Sequence, residues 1–441
     1  MKRLLSLLLC AVLALFCATT AQAAGVSITL TASEYALHYA FDAGAQDPFV
    51  ILEYTTPAEK GWMMLYSADG HFEGDVSLAY SGAGGKTSVA LTSARTTGSI
   101  GKASTTLPKA ADYQKPTGKS NAKVTDFVLT ETPEGFHYAF NAAGTDYMLL
   151  YWRSKEQTVT QPVYPDENGH YEGDVISDLT FARTQFTVQV KSGSGSMKKE
   201  ATVRKGYQAP EAPQRQEGRL SGVTVCIDAG HQENGRFVNE PIGPGLTGST
   251  SGKGGMAQGT KTNRRESIVC LEIGMLLRDE LLRQGANVVM TREDQTTFHT
   301  NIERCEIAEA GGAQIMLRLH CNNSSNRSKR GIQVYGPLNS DYAKAVADAD
   351  TYREMGQKLL DAMKTRVGMT LANSTGMVRL NDNYVGNNWA KMMCFLVEMG
   401  YLSNPAEEYL LVTPVYQQWL AEGMADGVYE IAVARGWVQA Q

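Results

Sequence analysis

An internal duplication in the first half of the chain is the feature that most constrains its fold. The segment LHYAF at residues 37–41 returns as FHYAF at 136–140, after 99 positions. The segment GHFEGDV at 70–76 returns as GHYEGDV at 169–175, after the same 99 positions. Two matches at one offset indicate two copies of a single structural unit.

Each copy has the residue pattern of a small all-β unit. Apolar and polar residues alternate, as over residues 27–30 and 186–190, and this period of two is typical of strands. We therefore predict two tandem β-sandwich repeats, loosely immunoglobulin- or fibronectin-like, at residues 24–107 and 122–206. A proline-bearing linker at 207–219 would separate them from the rest of the chain.

Four histidines occupy equivalent positions in the two repeats: His38 and His137, His71 and His170. No adjacent residue in the sequence offers them a further metal ligand. We interpret all four as structural.

The first residues have the composition of a secretory signal peptide. Lys2 and Arg3 precede an apolar run at residues 4–18, and Ala21-Gln22-Ala23 fits a small-x-small cleavage site. We predict cleavage after Ala23. The alternative, an uncleaved membrane anchor, would require a longer apolar run. The mature protein is thus expected to be secreted or held in the cell envelope, without stable membrane insertion.

Charge and cysteine content exclude some classes of function. The formal net charge is −5, so no basic excess favours a nucleic acid partner. Five cysteines would remain after cleavage, an odd number without any CxxC pair. We interpret them as small buried apolar residues rather than as a disulfide framework or a thiolate metal site.

From residue 220 onward strands and helices alternate, which predicts an α/β domain with a mostly parallel sheet and flanking helices over 220–441. The predicted strands cover 223–227, 286–290, 314–319, 332–335 and 394–397, and the predicted helices cover 266–284, 302–310, 340–367 and 414–435.

Four side chains of this domain lie where its predicted elements begin or end. His231, His320 and Glu398 each follow a predicted strand, and Glu266 begins a predicted helix. Functional residues of open α/β sheets collect beyond the carboxyl ends of the strands, so we expect these four to meet at one edge. Two histidines and one carboxylate suit a catalytic zinc ion with an open fourth position, and a second carboxylate would then move protons.

The ordered motifs of this region resemble those of the zinc-dependent N-acetylmuramoyl-L-alanine amidases of the type-3 class, over about residues 220–435. They are DAGH at 228–231, ESIVCL at 266–271, TR at 291–292, LHCN at 319–322 and VEMGYLSNP at 397–405.

This resemblance implies His231, Glu266 and His320 as ligands of one zinc ion and Glu398 as the catalytic carboxylate. It also implies peptidoglycan as the substrate, cleaved at the amide between N-acetylmuramic acid and L-alanine of the stem peptide. The chain departs from the usual pattern beside the first histidine. Its residue 229 is alanine where the family usually has proline, and residue 232 is glutamine where glycine is frequent.

Three further residues have alternative roles. Arg292 either binds a substrate carboxylate or pairs with Asp294 or a buried carboxylate. Asn322 orients His320, touches substrate or serves a structural turn. Trp389 either lines the cleft, because an aromatic face suits a sugar, or packs in the core.

The long stretch between His231 and Glu266 is either a lid or substrate wall, or a surface insertion. Its segment at 240–245 is expected to be ordered. Arg264 and Arg265 either contact stem-peptide carboxylates or form a solvated pair at the helix start.

Two rival functions remain at this stage. One is a zinc peptidase acting within the stem peptide, and the other is a non-catalytic wall-binding or regulatory protein on an inactive amidase fold. The β repeats are expected to position the enzyme on the wall or on a partner, although they contain no sugar-binding motif that identifies their ligand.

Overall fold

A computed structural model of the chain describes residues 18–22, 25–132, 135–154, 157–176, 185–204, 209–232, 238–250, 255–367 and 377–440. Most of the predicted signal peptide, including Ala23, lies outside the described residues. The part of it that is described, Ala18–Gln22, pairs as a strand with residues 27–31. Among the helices that are described, none has the length and apolarity needed to cross a membrane. The chain divides into two units, Met1–Lys205 and Gly206–Gln441.

The first unit is built from strands, as the alternating pattern predicted. These are β1 (Ala18–Gln22), β2 (Ser27–Ser33), β3 (Ala36–Asp42), β4 (Phe49–Thr55), β5 (Glu59–Tyr66), β6 (His71–Ser77), β7 (Gly85–Ser93), β8 (Ser99–Leu107), β9 (Val124–Thr132), β10 (Gly135–Ala142), β11 (Met148–Arg153), β12 (Gln157–Val163), β13 (His170–Ile176), β14 (Gln185–Lys191) and β15 (Met197–Arg204).

Each repeat places its core between two layers of strands. A sheet of order β1-β2-β3-β6 and a sheet of order β13-β10-β9 each face one half of an eight-stranded sheet, β15-β14-β11-β12-β5-β4-β7-β8. In the first repeat the core includes Ile28, Phe41 and Leu52. In the second it includes Phe140 and Trp152. Inward apolar residues at every second position explain both cores.

The two repeats share one sheet, which the sequence did not predict. Strand β12 of the second repeat pairs antiparallel with β5 of the first, with Thr158 opposite Lys60. At this junction the buried carboxylate of Glu59 accepts a hydrogen bond from Gln157 Nε2 at 3.0 Å. β5 and β12 are far apart in the sequence, so the sequence pattern did not predict that they pair.

The repeat histidines have carboxylate neighbours on the paired strand. His38 Nδ1 lies 3.1 Å from Asp75 Oδ1 and its Nε2 lies 3.3 Å from Glu73 Oε1. In the second copy His137 Nδ1 lies 2.9 Å from Asp174 Oδ1. These carboxylates lie on the neighbouring strand and are distant from the histidines in sequence. The residues next to each histidine in the sequence therefore did not predict these contacts.

The second unit alternates strands and helices. Its elements are β16 (Thr224–Ala229), β17 (Glu240–Pro241), β18 (Ser249–Thr250), α1 (Glu266–Arg283), β19 (Asn287–Met290), α2 (Asn301–Ala310), β20 (Ile315–Asn322), β21 (Gln333–Gly336), α3 (Asp341–Val346), α4 (Ala349–Val367), β22 (Met377–Leu380), α5 (Val385–Trp389), β23 (Met393–Tyr401), α6 (Glu407–Leu411) and α7 (Pro414–Ala434).

The main sheet of this unit is mostly parallel, with order β19-β16-β20-β23-β21-β22. Only the β21–β23 pair is antiparallel among its described pairs. The central strands are buried on both faces, which explains their continuous apolar sequences. The parallel register brings the carboxyl ends of β16, β20 and β23 to one edge.

The predicted single helix at 340–367 is wrong, because two helices occupy this range. Ala347 between them is extended, with φ −167° and ψ 161°. Asp348 Oδ1 then accepts a hydrogen bond from the Thr351 backbone N–H at 2.7 Å, as a residue does at a helix start. The apolar periodicity continues across the break and therefore concealed it.

The prediction that the cysteines are buried and form no disulfide framework agrees with the described structure. All five cysteines of this unit are buried and carry free thiols: Cys226, Cys270, Cys305, Cys321 and Cys394.

Candidate metal centre

Three side chains at the carboxyl edge of the sheet form a compact His–Glu–His group. His231 follows β16, His320 lies near the end of β20, and Glu266 is the first residue of α1. His231 Nε2 lies 3.1 Å from Glu266 Oε2, and His320 Nδ1 lies 2.9 Å from Glu266 Oε1. One ligand atom from each residue lies within 4.8 Å of the others, a spacing that accommodates a metal ion.

Glu266 is held rigidly for a buried carboxylate, with 3% of its surface exposed. Its two oxygens accept backbone hydrogen bonds from Ala257 at 2.7 Å and Cys321 at 3.0 Å. Burial alone would raise the pKa of Glu266, but hydrogen bonds with His231 and His320 lower it well below its usual range. The carboxylate is therefore ionised, as a metal ligand must be.

The imidazole of His320 is also in the form that a metal requires. Burial lowers its pKa, and this effect outweighs the opposing hydrogen bond with Glu266. A lowered pKa favours the neutral ring, whose nitrogen lone pair is available for coordination.

Backbone hydrogen bonds fix the loop that carries His231. Arg292 donates to the carbonyl oxygens of Ala229 at 2.7 Å and Gly230 at 2.8 Å. Arg304 donates to the His231 carbonyl at 3.2 Å. His231 has φ +56°, a left-handed conformation that costs a non-glycine residue about 1–2 kcal/mol. These donors supply the compensation.

Arg292 supports the loop with most of its guanidinium group. Only 3% of its surface is exposed, and its further hydrogen bonds go to the carbonyls of Ser267 and Asp294. The proposed pairing with Asp294 occurs, but through the backbone oxygen of that residue.

The two departures from the family motif are accommodated in the same loop. Ala229 ends β16 and is fully buried. Gln232 contributes its side-chain oxygen as an acceptor for Arg304. Gly230 lies so close to β20 that a β-carbon there would approach Leu319 O to 2.4 Å. The motif comparison identified positions 229 and 232 as unusual. The position where the structure has no room for a side chain is Gly230.

Asp228 joins the elements beneath the loop. Its carboxylate accepts hydrogen bonds from Arg318 at 2.9 Å, Thr291 at 2.8 Å and Arg304. Burial would raise the pKa of Asp228, but the charges of the two arginines lower it far below its usual range. This ionised hub was not identified from the sequence, since its arginine partners lie 76 and 90 positions away.

Glu398 lies in β23 directly beside His320 of β20. Its Oε2 is buried, and it is among the described side-chain atoms without a hydrogen-bond partner. Burial first, and then the charge of Glu266, raise the pKa of Glu398 well above its usual range. A buried carboxyl group with an unsatisfied oxygen beside a ligand set is typical of a group that handles protons.

A polar network lies beside Glu398 on the same edge. Gln333 is opposite Glu398 on the antiparallel strand β21. Its Oε1 accepts from Asn322 Nδ2 at 3.2 Å and from Tyr335 Oη at 2.5 Å. Asn322 is thus tied to Gln333 within this network. Because β21 is antiparallel to β23, the start of β21 lies at the same edge as the carboxyl ends of the parallel strands. The expectation that functional residues follow the carboxyl ends of strands therefore did not predict Gln333.

Trp389 contacts the loop that follows His231. Its Nε1 donates to Pro241 O at 2.9 Å, and its ring meets Tyr342 edge-on at 6.1 Å between centroids. Asn388 Nδ2 donates to Ile242 O at 3.0 Å, and Glu240 accepts from the Ile302 N–H at 2.8 Å. The segment at 240–245 is ordered, as predicted, and Trp389 helps to anchor it. Residues 233–237 and 251–254 lie outside the described part of the chain.

The loop before Glu266 is anchored from the last part of the unit. Glu408, at the start of α6, accepts backbone hydrogen bonds from Lys261 at 2.9 Å and Thr262 at 3.3 Å. Arg264 is buried and forms a 2.7 Å ion pair with Glu272. The expectation of a solvated arginine pair is therefore wrong for Arg264.

The fold and the site together define a class: an α/β domain with a His–Glu–His group suited to a divalent metal and a buried carboxyl group beside it. Within this unit, residues 225–430 match the family model described as N-acetylmuramoyl-L-alanine amidase. For the second unit, this match supports the resemblance of the motifs to the N-acetylmuramoyl-L-alanine amidases.

Two curated relatives carry related descriptions. The germination-specific N-acetylmuramoyl-L-alanine amidase of Bacillus subtilis (strain 168) is 26% identical over 231 residues, covering 49% of this chain and 83% of the relative. The probable cell wall amidase LytH of Staphylococcus aureus is 27% identical over 218 residues, covering 48% of this chain and 60% of the relative. Each match covers about half of this chain, and the first listed LytH relative is itself covered over 60% of its length.

Solved structures give similar coverage. An N-acetylmuramoyl-L-alanine amidase from Clostridium difficile 630 is 25% identical, covering 48% of this chain and 96% of its own, with a TM-score of 0.38. The catalytic domain of CwlV from Bacillus (Paenibacillus) polymyxa var. colistinus is 23% identical, covering 49% and 99%, with a TM-score of 0.37. Both TM-scores are below 0.5.

Proposed function

We propose that the C-terminal unit is a zinc-dependent N-acetylmuramoyl-L-alanine amidase. It would cleave the amide between the lactyl group of N-acetylmuramic acid and L-alanine of the stem peptide in peptidoglycan. The observation that carries this proposal is the His–Glu–His group beside the unsatisfied carboxyl oxygen of Glu398. The amidase family match over residues 225–430 supports the choice of bond.

The donor set fits zinc. His231, Glu266 and His320 would hold the ion with two nitrogens and one oxygen, a set that leaves a fourth position open. When bound, zinc supplies polarisation of the scissile carbonyl and a lowered pKa of water. No cysteine belongs to the described ligand group, which is consistent with a catalytic rather than a structural zinc site.

Glu398 is the group proposed to move the protons. The positive charge of a bound zinc ion would favour the ionised form of Glu398 over the protonated form that its burial favours. This carboxylate would then accept a proton from the attacking water and return it to the departing nitrogen of L-alanine. The hydrogen-bonded backbone around Glu266 and His231 keeps the ligands in place during this exchange, so little reorganisation is required. Asn322 and Gln333 line the same edge and are proposed to contact the substrate.

An envelope location follows from this substrate. Peptidoglycan lies outside the cytoplasmic membrane, and the relatives include a protein described as a cell wall amidase. We propose that residues 1–23 direct secretion, as their composition predicts.

The decisive experiment combines metal analysis with product identification. The purified chain is expected to contain about one zinc per molecule. Mass spectrometry of a digested wall is expected to show intact stem peptides with a free L-alanine amino group. Peptides shortened within the stem would instead indicate a peptidase. No release by the zinc-loaded chain would indicate a non-catalytic protein.

A further inference from the structure

The first repeat has a groove on the outer face of the shared sheet. Its volume is about 720 Å³, and it crosses strands β4, β5, β7 and β8 before reaching the start of β12. The groove belongs wholly to the unit Met1–Lys205, and none of its lining residues belongs to the metal centre. The amidase proposal leaves it without a role.

One cross-strand row gives the groove an aromatic floor. Trp62 is paired with Glu53, Glu53 with Ala90, and Ala90 with Lys102. Trp62 is half-buried, whereas Glu53 and Lys102 are exposed. Glu53 and the small side chain of Ala90 lie between the tryptophan and the lysine in this row. An aromatic ring beside a carboxylate provides a flat apolar surface together with a hydrogen-bond acceptor, the combination that a sugar ring requires.

The neighbouring row is polar and contains four hydroxyl groups and one lysine. Thr158 is opposite Lys60, Lys60 opposite Thr55, Thr55 opposite Ser88, and Ser88 opposite Ser104. Hydroxyl groups both donate and accept hydrogen bonds, so such a row matches the hydroxyl groups of a saccharide.

The groove is cationic on an acidic chain. Lys60, Lys86 and Lys102 are exposed along it, against the single carboxylate of Glu53 among the exposed lining residues. The whole chain has a net charge of −5. A local positive surface on an acidic protein favours a ligand that carries negative charge.

The second repeat does not reproduce this surface. The cross-strand pair next to its core tryptophan is Tyr151 with Thr160, where the first repeat has Glu53 with Trp62. In addition, Lys191 Nζ covers the Tyr151 ring at 3.9 Å from its centroid. The groove is therefore a property of one copy and does not follow from the shared repeat fold.

We infer that this groove binds the glycan strand of peptidoglycan, with a sugar ring on Trp62 and stem-peptide carboxylates near the lysines. The inference depends on the proposed function for the choice of glycan. It assigns to the first repeat the task of holding the wall for the amidase unit.

The test measures binding without hydrolysis. The full chain with Glu398→Gln is cosedimented with purified peptidoglycan from which phosphate-bearing wall polymers have been removed. Adding Trp62→Ala is expected to weaken binding about tenfold, the loss of one aromatic contact. A triple variant, Lys60→Gln, Lys86→Gln and Lys102→Gln, is expected to weaken binding at low salt more than at high salt.

A matched control removes the same number of positive charges outside the groove. It replaces three exposed lysines at the connection between the repeats and the start of the second one: Lys115→Gln, Lys119→Gln and Lys123→Gln. This control is expected to bind like the parent chain. Parent-like binding by the Trp62→Ala variant overturns the inference, and so does binding only to walls that retain their phosphate polymers.

The amidase proposal is tested separately with a soluble muramyl-peptide fragment. Cleavage of this fragment by the wild-type chain, together with unchanged wall binding by the groove variants, would refute the groove alone. Groove-dependent wall binding without any cleavage would refute the amidase alone.

Discussion

At the scale of single residues, the role proposed for Glu398 separates catalysis from metal binding. Its neighbours show why: it lies beside His320 in the sheet, but it is outside the His–Glu–His group. We predict that Glu398→Gln keeps its zinc and loses roughly 10²–10⁴-fold in rate, because only proton transfer is removed. Zinc analysis and a wall-hydrolysis assay check both parts. Wild-type hydrolysis by the variant would show that another group moves the proton.

The histidines carry the opposite prediction. We expect His231→Ala and His320→Ala each to lose stoichiometric zinc, because two protein ligands are too few to hold it. The matched control is His299→Ala, since His299 is the remaining histidine of the second unit and contacts Arg304 only through its backbone oxygen. Full zinc in both site variants would contradict the ligand assignment.

At the scale of elements, the ionised hub at Asp228 connects β16 with β20 and α2. Asp228→Asn would leave Arg304 and Arg318 as buried charges without their carboxylate. We predict a loss of about 3–5 kcal/mol in the free energy of unfolding, the usual cost of breaking a buried pair. Urea denaturation measures it. Asp350→Asn, which removes an exposed partner of Arg353, is the control and should change stability little.

The start of α6 contains a second buried carboxyl group. Glu407 accepts backbone hydrogen bonds from Tyr401 and Gly331, each at 2.8 Å, and so joins α6 to the end of β23. Burial raises the pKa of Glu407 to about 7, although these hydrogen bonds oppose the shift. Ionisation of this group therefore occurs in the folded protein at a higher pH than in the unfolded chain.

This raised pKa predicts a pH dependence of stability. Between the unfolded pKa near 4.5 and the folded pKa near 7, the folded state binds the proton and the unfolded state does not. Stability should therefore fall as pH rises through this window, by up to about 3 kcal/mol from Glu407. Urea unfolding at several pH values measures the slope in the wild type and in Glu407→Gln. Equal slopes in the two proteins would contradict the assignment.

At the scale of the whole molecule, the shared sheet predicts how the chain unfolds. Because β12 pairs with β5, the two repeats should unfold together, separately from the second unit. Calorimetry is expected to show two transitions. Leu52→Ala in the first repeat and Leu150→Ala in the second should destabilise the same transition. Each should lower its free energy of unfolding by about 2–5 kcal/mol.

The control for this prediction lies in the other unit. Leu359→Ala, at a fully buried position of α4, should lower only the second transition. Three transitions in the wild type, or repeat substitutions that lower different transitions, would show that the repeats are independent.

The sequence by itself determined the class of each region. Alternating apolar residues predicted the strands of the repeats, and apolar periodicity predicted the elements of the second unit, because both patterns follow from local backbone geometry. The sequence also predicted that His231, His320 and Glu398 would meet at one edge, because each follows a predicted strand of a mostly parallel sheet. In the structure β20 and β23 extend past His320 and Glu398, and the residues still meet at that edge. The motifs added the family, which the match over residues 225–430 supports.

Only the tertiary structure decided the contacts between residues that are distant in sequence. The pairing of β12 with β5, the arginines around Asp228 and the placement of Gln333 beside Glu398 each depend on strand order or direction. The groove at Trp62 likewise exists only once β4, β5, β7 and β8 lie side by side. Periodicity assigns a side chain to a face, whereas its partners depend on how the whole chain folds.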